Sequence, residues 1–177
     1  IYRILGMDVP ERSDTMVMRM IRTKFAKQVD FPLTRVGTNA GGLLIGAIET
    51  TSQAVAQVVE YFIEHPAILK QAKDKAQSND MAAFDAMVWE ALRFRPIRPD
   101  IFRQAASDYT MAKGTNHETE IKSGTIVRLL IHSAMFDTYA YEDPDSFNPD
   151  RNFYHNFALG FGPHQCLGKY VGMEMIP

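Results

Sequence analysis

The sequence predicts a mainly α-helical protein with a small β portion. Three observations carry that expectation. Residues Thr34 to Glu64 read as one uninterrupted helix without a proline. Two shorter helical stretches follow, divided by Ser78-Asn79-Asp80. Beyond Arg95-Pro96-Ile97-Arg98-Pro99 the pattern changes to short β-like runs separated by turn residues.

In chain order, the first expected helix runs from about Asp14 to Gln28, with Ser13 or Asp14 as its cap. Pro32 interrupts the pattern. The helix Thr34–Glu64 would be about 45 Å long at a rise of 1.5 Å per residue, which suits an element crossing a whole domain. It ends before His65-Pro66. Pro66 opens the next helix, to about Ala76, because a proline at the first helical position loses no hydrogen bond. Ser78-Asn79-Asp80 caps a helix that runs to about Phe94. The proline pair Pro96 and Pro99 cannot continue it. Strands are expected at Ile101–Gln104, Tyr109–Ala112, Thr119–Lys122 and Thr125–Ile131. Lys113-Gly114-Thr115-Asn116 and Ser123-Gly124 supply turns between them. Residues 138–156 read as an ordered irregular segment, and Leu167–Ile176 as a last helix.

The bulk properties are those of a globular chain. Of 177 residues, 46% are hydrophobic and 23% charged, enough for a sizeable core. A net charge of −2 with scattered basic residues leaves no electrostatic footprint for nucleic acid or an anionic membrane surface. The longest apolar run, Ala40 to Ile48, meets Glu49 well short of bilayer length. A single cysteine excludes an internal disulfide framework and fits a reducing, cytoplasmic setting.

That cysteine sits in Leu159-Gly160-Phe161-Gly162-Pro163-His164-Gln165-Cys166-Leu167-Gly168. Glycines at 160, 162 and 168 remove side chains where a backbone could approach a flat ligand. Pro163 stiffens the loop. The start of a helix just after Cys166 presents free N–H groups and a positive dipole end, which favour the anionic form of a thiol. A rigidly held thiolate is a soft ligand for iron. An isolated cysteine is more often a buried structural residue, but the spaced glycines and the helix start argue for the ligand.

This segment resembles the haem-thiolate loop of the cytochromes P450, Phe-x-x-Gly-x-(His/Arg)-x-Cys-x-Gly. Gly162, His164, Cys166 and Gly168 match, and Leu159 stands where the family has its aromatic. The resemblance implies that Cys166 is the axial ligand to haem iron and that its thiolate pushes electron density onto the metal. It also implies that His164 donates to a haem propionate, with Leu159, Gly160, Gly162 and Gly168 lying against the cofactor.

Further motifs stand in the family's order. Glu90-Ala91-Leu92-Arg93 puts opposite charges three apart on one helix face. Alone, such a pair is commonly a solvated contact of small worth, but Met87, Val88, Trp89 and Leu92 around it suggest burial. Its counterpart in the family is a Glu-x-x-Arg helix that locks to the arginine of a Phe-x-Pro-(Glu/Asp)-Arg segment. Phe147-Asn148-Pro149-Asp150-Arg151 matches that segment and implies a structural network of Glu90, Arg93 and Arg151. In the long helix, Gly46-Ala47-Ile48-Glu49-Thr50-Thr51 is similar to the (Ala/Gly)-Gly-x-(Asp/Glu)-Thr of the family's distal haem face. Glu49 and Thr50 would then be the acid–alcohol pair that relays protons to dioxygen, with Ala47 in place of the second glycine. Arg103 resembles a second propionate-binding cation, since a guanidinium meets a carboxylate bidentately. Ser133-Ala134-Met135-Phe136-Asp137 lies where the family has Ser-Ala-Asn-Arg-Asp and departs from it at Met135 and Phe136.

Taken over residues 34 to 176, the resemblance implies the C-terminal part of the cytochrome P450 fold. Its parts would be the long central helix, the Glu-x-x-Arg helix, the cysteine loop and the helix after it. Residues 1–177 are expected to form a single partial domain, a fragment of a longer protein. The run through Gln53 also resembles proteins in which a haem peroxidase is joined to a cytochrome P450. The implied cofactor is haem b (iron protoporphyrin IX). The implied activity is a monooxygenase using dioxygen, an apolar small-molecule substrate and a redox partner (a ferredoxin or a flavoprotein reductase). A pocket lined near Leu43, Ile48, Ile97 and Ile101, with Arg98 and Asp100 facing it, is expected. Two alternatives stay open at this point: a haem-thiolate peroxygenase or hydroperoxide isomerase, and a haem-binding module without turnover.

Overall fold

Helical spacing of small and apolar residues decides where the core lies. In a computed structural model, residues 15–23, 29–152 and 156–177 are described. The chain divides into two units, residues 1–49 and 50–177.

In the first unit, helix α1 spans Met16–Arg22. Thr15 caps it, its hydroxyl accepting the Met18 N–H at 3.3 Å. The cap expected at Ser13 or Asp14 is thus displaced, and both of those residues lie outside the described ones. Thr23 closes the helix: its N–H and its hydroxyl both donate to the Arg19 carbonyl, at 2.9 and 2.7 Å. Residues 24–28 of the expected helix lie outside the described residues. Helix α2, Leu33–Glu64, is the long helix of the sequence reading and begins directly after Pro32.

In the second unit, the later part of α2 turns Ala54, Val58, Tyr61 and Phe62 inward, the i, i+4, i+7, i+8 stripe of an amphipathic helix. They pack with Ala72 of α3 (Pro66–Gln77), with Met87, Val88, Trp89, Ala91 and Leu92 of α4 (Met81–Phe94), and with Ile176. Helix α4 is buried from Met87 to Arg93. At its start the Asp80 carboxylate accepts the Ala83 N–H. At its end Arg95 pairs with Glu64 and Glu60 of α2.

Four strands form two antiparallel pairs. Strand β1 (Ile101–Gln104) pairs with β4 (Ile126–Leu129), Ile101 opposite Leu129 and Gln104 opposite Ile126. Strand β2 (Tyr109–Met111) pairs with β3 (Thr119–Ile121). Gly114 and Gly124, both at positive φ, occupy the expected turns. The fourth strand ends two residues earlier than expected. The His132 N–H donates to the Pro99 carbonyl, and Ile131–Ala134 winds into the short helix α5. Helix α6, Lys169–Met175, starts two residues later than expected, because Gly168 rather than Cys166 is its N-cap. Among the described residues, no helix is long and apolar enough to cross a membrane.

Candidate functional site: the cysteine loop and the Glu90 cluster

Two 3-10 turns build the loop, Phe157–Leu159 and Gly162–His164. Asn156 caps the first, accepting the Ala158 N–H at 2.9 Å. The loop then closes on itself through the Cys166 N–H, which donates to the Leu159 carbonyl at 2.7 Å. That closure requires Gly160. It sits at φ +73°, and a Cβ there would lie 2.9 Å from the His164 carbonyl oxygen. Gly162 is also at positive φ (+61°), but faces open space. A Cβ at Gly168 would make only ordinary contact with Cys166, 3.8 Å from Sγ. The Leu159 side chain packs against the core cluster. Cys166 and His164 are both exposed. The loop therefore presents one thiol outward on a backbone fixed from within.

Beneath it lies a buried ionic cluster. Glu90 is 5% exposed and Arg93 1%. Arg93 binds Glu90 through two nitrogens, Nη2 to Oε1 at 2.8 Å and Nε to Oε2 at 3.0 Å, the bidentate geometry of a strong pair. Glu90 Oε1 also accepts the Asn148 N–H at 3.0 Å and Arg151 Nε at 3.2 Å. Arg93 donates onward to the carbonyls of Met135 (3.0 Å) and Ser146 (3.3 Å). Its guanidinium stacks over Phe94 and Phe136 at 4.4 and 4.5 Å. Arg151 donates to the carbonyls of Glu142, Asp143 and Ser146. Buried charge is costly unless every lone pair and proton finds a partner, and here backbone carbonyls from 135 to 146 complete the set. Tyr141 lies in the same surroundings, and burial raises the pKa of its phenol. A cavity of about 30 Å³ adjoins the cluster between Trp89, Arg151 and Asn156.

The remaining candidates are distributed. Ala47, Glu49 and Thr50 lie along α2, and all three are exposed. Arg103 stands exposed on β1, its guanidinium donating to the Phe102 carbonyl at 2.8 Å. Two of the expected pocket residues have other surroundings. Ile97 packs against the core cluster, and the largely buried Asp100 carboxylate pairs with Arg128 of β4.

Sequence reasoning missed two residues that hold the loop. Met135 is fully buried (0% exposed), and its thioether accepts the Phe157 N–H at 3.3 Å. Asn156 donates from Nδ2 to the Trp89 carbonyl at 3.0 Å. The available signal was the departure at Met135, a buried-type residue where the family pattern has a polar one.

A helical scaffold that projects a single thiol from a glycine-bearing loop is a ligand-presenting haem-type site. The donor set fits that group: a porphyrin supplies four ligands of its own, so one soft sulfur from the protein suffices. Among the described residues, no group of three or more His, Cys, Asp or Glu could hold a bare ion. The Cytochrome P450 family model matches residues 7–176, and the chain belongs to that family. Membership brings a haem iron cofactor with it. The chain is 31% identical over 129 residues to the steroid C26-monooxygenase of Mycolicibacterium smegmatis, covering 73% of this chain and 30% of that protein. It is 28% identical over 155 residues to the cyclomarin C epoxidase CymV of Salinispora arenicola, covering 88% of this chain and 36% of that protein. The fold matches substrate-free CYP109E1 from Bacillus megaterium with a TM-score of 0.80 at 23% identity, over 99% of this chain and 43% of that one. The chain thus spans about a third of the length of the curated relatives it matches.

Proposed function

We propose that this chain is the C-terminal, haem-binding portion of a larger cytochrome P450 domain, and that the whole protein is a monooxygenase. It would insert one oxygen atom from dioxygen into an apolar organic substrate, with electrons from a ferredoxin or flavoprotein reductase. The observation that carries this reading is the exposed Cys166 thiol on its self-closed loop, within a match to the family over residues 7–176. Relatives named as a steroid monooxygenase and an epoxidase support the activity and the apolar substrate.

When bound, haem b supplies oxygen activation, which a thiolate ligand favours. The protein's own part is to hold, orient and supply protons. Cys166 would ligate the iron through Sγ. His164 and Arg103 would donate to the propionates, Arg103 after leaving the Phe102 carbonyl. Leu159, Gly160, Gly162, Gly168 and Ala47 would border the cofactor. Thr50 Oγ1 would hold the water that delivers a proton, and the Glu49 carboxylate would replenish it, the ordinary division of labour in general acid catalysis. Glu90, Arg93 and Arg151 have a structural role, holding the segment that leads into the loop.

The test is Cys166→Ala in the full-length protein. The reduced carbon monoxide complex of the wild type should show the thiolate-type absorption band, and the variant should lose it. A variant spectrum like that of the wild type removes the assignment.

A further inference from the structure

Two attachments of the Cys166 loop to the rest of its unit, among the described residues, come from Met135 and Asn156. The fully buried thioether of Met135 accepts the Phe157 N–H at 3.3 Å. The Asn156 amide donates to the carbonyl of Trp89, in mid-α4, at 3.0 Å, while its oxygen caps the turn through the Ala158 N–H at 2.9 Å. Both grip the same 3-10 turn, Phe157–Leu159. From there the path to the cysteine is short. The Phe157 carbonyl accepts the Gly160 N–H at 2.9 Å, and the Leu159 carbonyl accepts the Cys166 N–H at 2.7 Å. Upstream, the Met135 carbonyl accepts Arg93 Nη1 at 3.0 Å. Met135 therefore holds the ionic cluster with its backbone and the cysteine loop with its side chain.

We propose that Met135 and Asn156 are positioning residues for Cys166: together they clamp the turn that opens the cysteine loop onto helix α4 and fix where the thiolate stands. The assignment rests on the haem-thiolate reading above. A thioether is a weak acceptor, but here it meets a part-buried N–H, and leaving a donor without a partner as it leaves water costs free energy. Thioether length also matters. Leucine fills a similar volume and is ordinarily tolerated in a methionine site, yet offers no acceptor. Serine at 156 still caps the turn, yet its side chain is too short to span the contact to the Trp89 carbonyl.

Met135→Leu and Asn156→Ser separate positioning from packing, because each leaves the core filled and the Glu90 cluster intact. Two readouts apply to the full-length haem-loaded protein. The first is amide hydrogen exchange of the peptide covering Phe157–Cys166. The second is the fraction of the reduced carbon monoxide complex in the thiolate form as mild denaturant is added. Each variant should speed exchange in the loop peptide by about fivefold, as expected for the loss of one net hydrogen bond. Peptides from α3 should be unchanged, and the thiolate form should give way to the neutral-thiol form at lower denaturant. Loop exchange and thiolate fraction equal to wild type overturn the assignment. So does exchange that rises equally in α3, which would mark ordinary packing. Faster loop exchange with an unchanged thiolate fraction also overturns it. A wild type without any thiolate-type band instead defeats the haem-thiolate reading itself.

Discussion

Arg151 Nε lies 3.2 Å from Glu90 Oε1, across 61 residues of sequence. The contact joins helix α4 to the segment just before the cysteine loop. Glu90 is only 5% exposed, and a buried carboxylate is costly unless further hydrogen bonds complete its pair with Arg93. Arg151 Nε and the Asn148 N–H supply two, both to Oε1.

Glu90→Ala and Arg93→Ala should therefore lower folded yield and haem content rather than only slow turnover. Removing one partner strands the other charge, at a cost of about 3–5 kcal/mol. Denaturation midpoints and haem per protein are the measurements. Normal values in both variants would show that the buried pair is not needed to hold the fold or the cofactor.

Gly160→Ala and Gly162→Ala should differ. Both place a Cβ at positive φ, a strain of about 1–2 kcal/mol. Only at 160 does that Cβ also meet backbone, 2.9 Å from the His164 carbonyl. Gly160→Ala should open the loop and release haem, while Gly162→Ala should retain it with a modest loss of stability. Haem retention during dilution compares them, and equal retention would contradict the close approach.

Thr50→Ala should leave haem content intact and divert electrons into hydrogen peroxide. On the proposed role of Thr50, loss of the hydroxyl would slow proton delivery and release reduced oxygen as peroxide. Product and peroxide formed per reduced nicotinamide consumed, with a redox partner present, measure this coupling. Equal coupling in an active variant would favour a peroxide-using enzyme instead.

Asp80 gives a pH prediction. The hydrogen bond from Lys75, then that from the Ala83 N–H, lower its pKa below the ordinary aspartate value. A folded pKa below the unfolded one means that its stabilisation is fully present above the unfolded value. It is lost as pH falls through the folded one. Asp80→Asn keeps a capping side chain without the titration, so its stability should decline less steeply in acid. Urea midpoints from neutral pH down through the carboxylate range would show it, and parallel curves would count against the linkage.

Local signals explain which parts were readable in advance. The bounds of α2 and α4 follow from Pro32, the His65-Pro66 step, Asp80 and the Arg95-Pro96 break, all of which act within a few residues. Gly114 and Gly124 mark their turns for the same reason. The end of β4 and the four-residue α5 depend on a hydrogen bond from His132 to Pro99, a distant partner that no local pattern encodes. The candidate site divides the same way. Cys166 and its glycines form one contiguous motif. The Asn156 amide and Met135 thioether act through contacts 67 and 22 residues away and leave no periodic trace.

The long-range closure of the Glu90 cluster has a consequence for biosynthesis. At roughly 5–20 residues per second, Arg151 leaves the ribosome several seconds after Glu90. During that interval α4 carries a carboxylate and a guanidinium whose remaining partners do not yet exist. Burying that face early would leave the pair's remaining hydrogen bonds unmade, which disfavours packing of α4 before residues 135–151 arrive. Slower translation of the codons for residues 94–151 would lengthen the interval in which that face stays open.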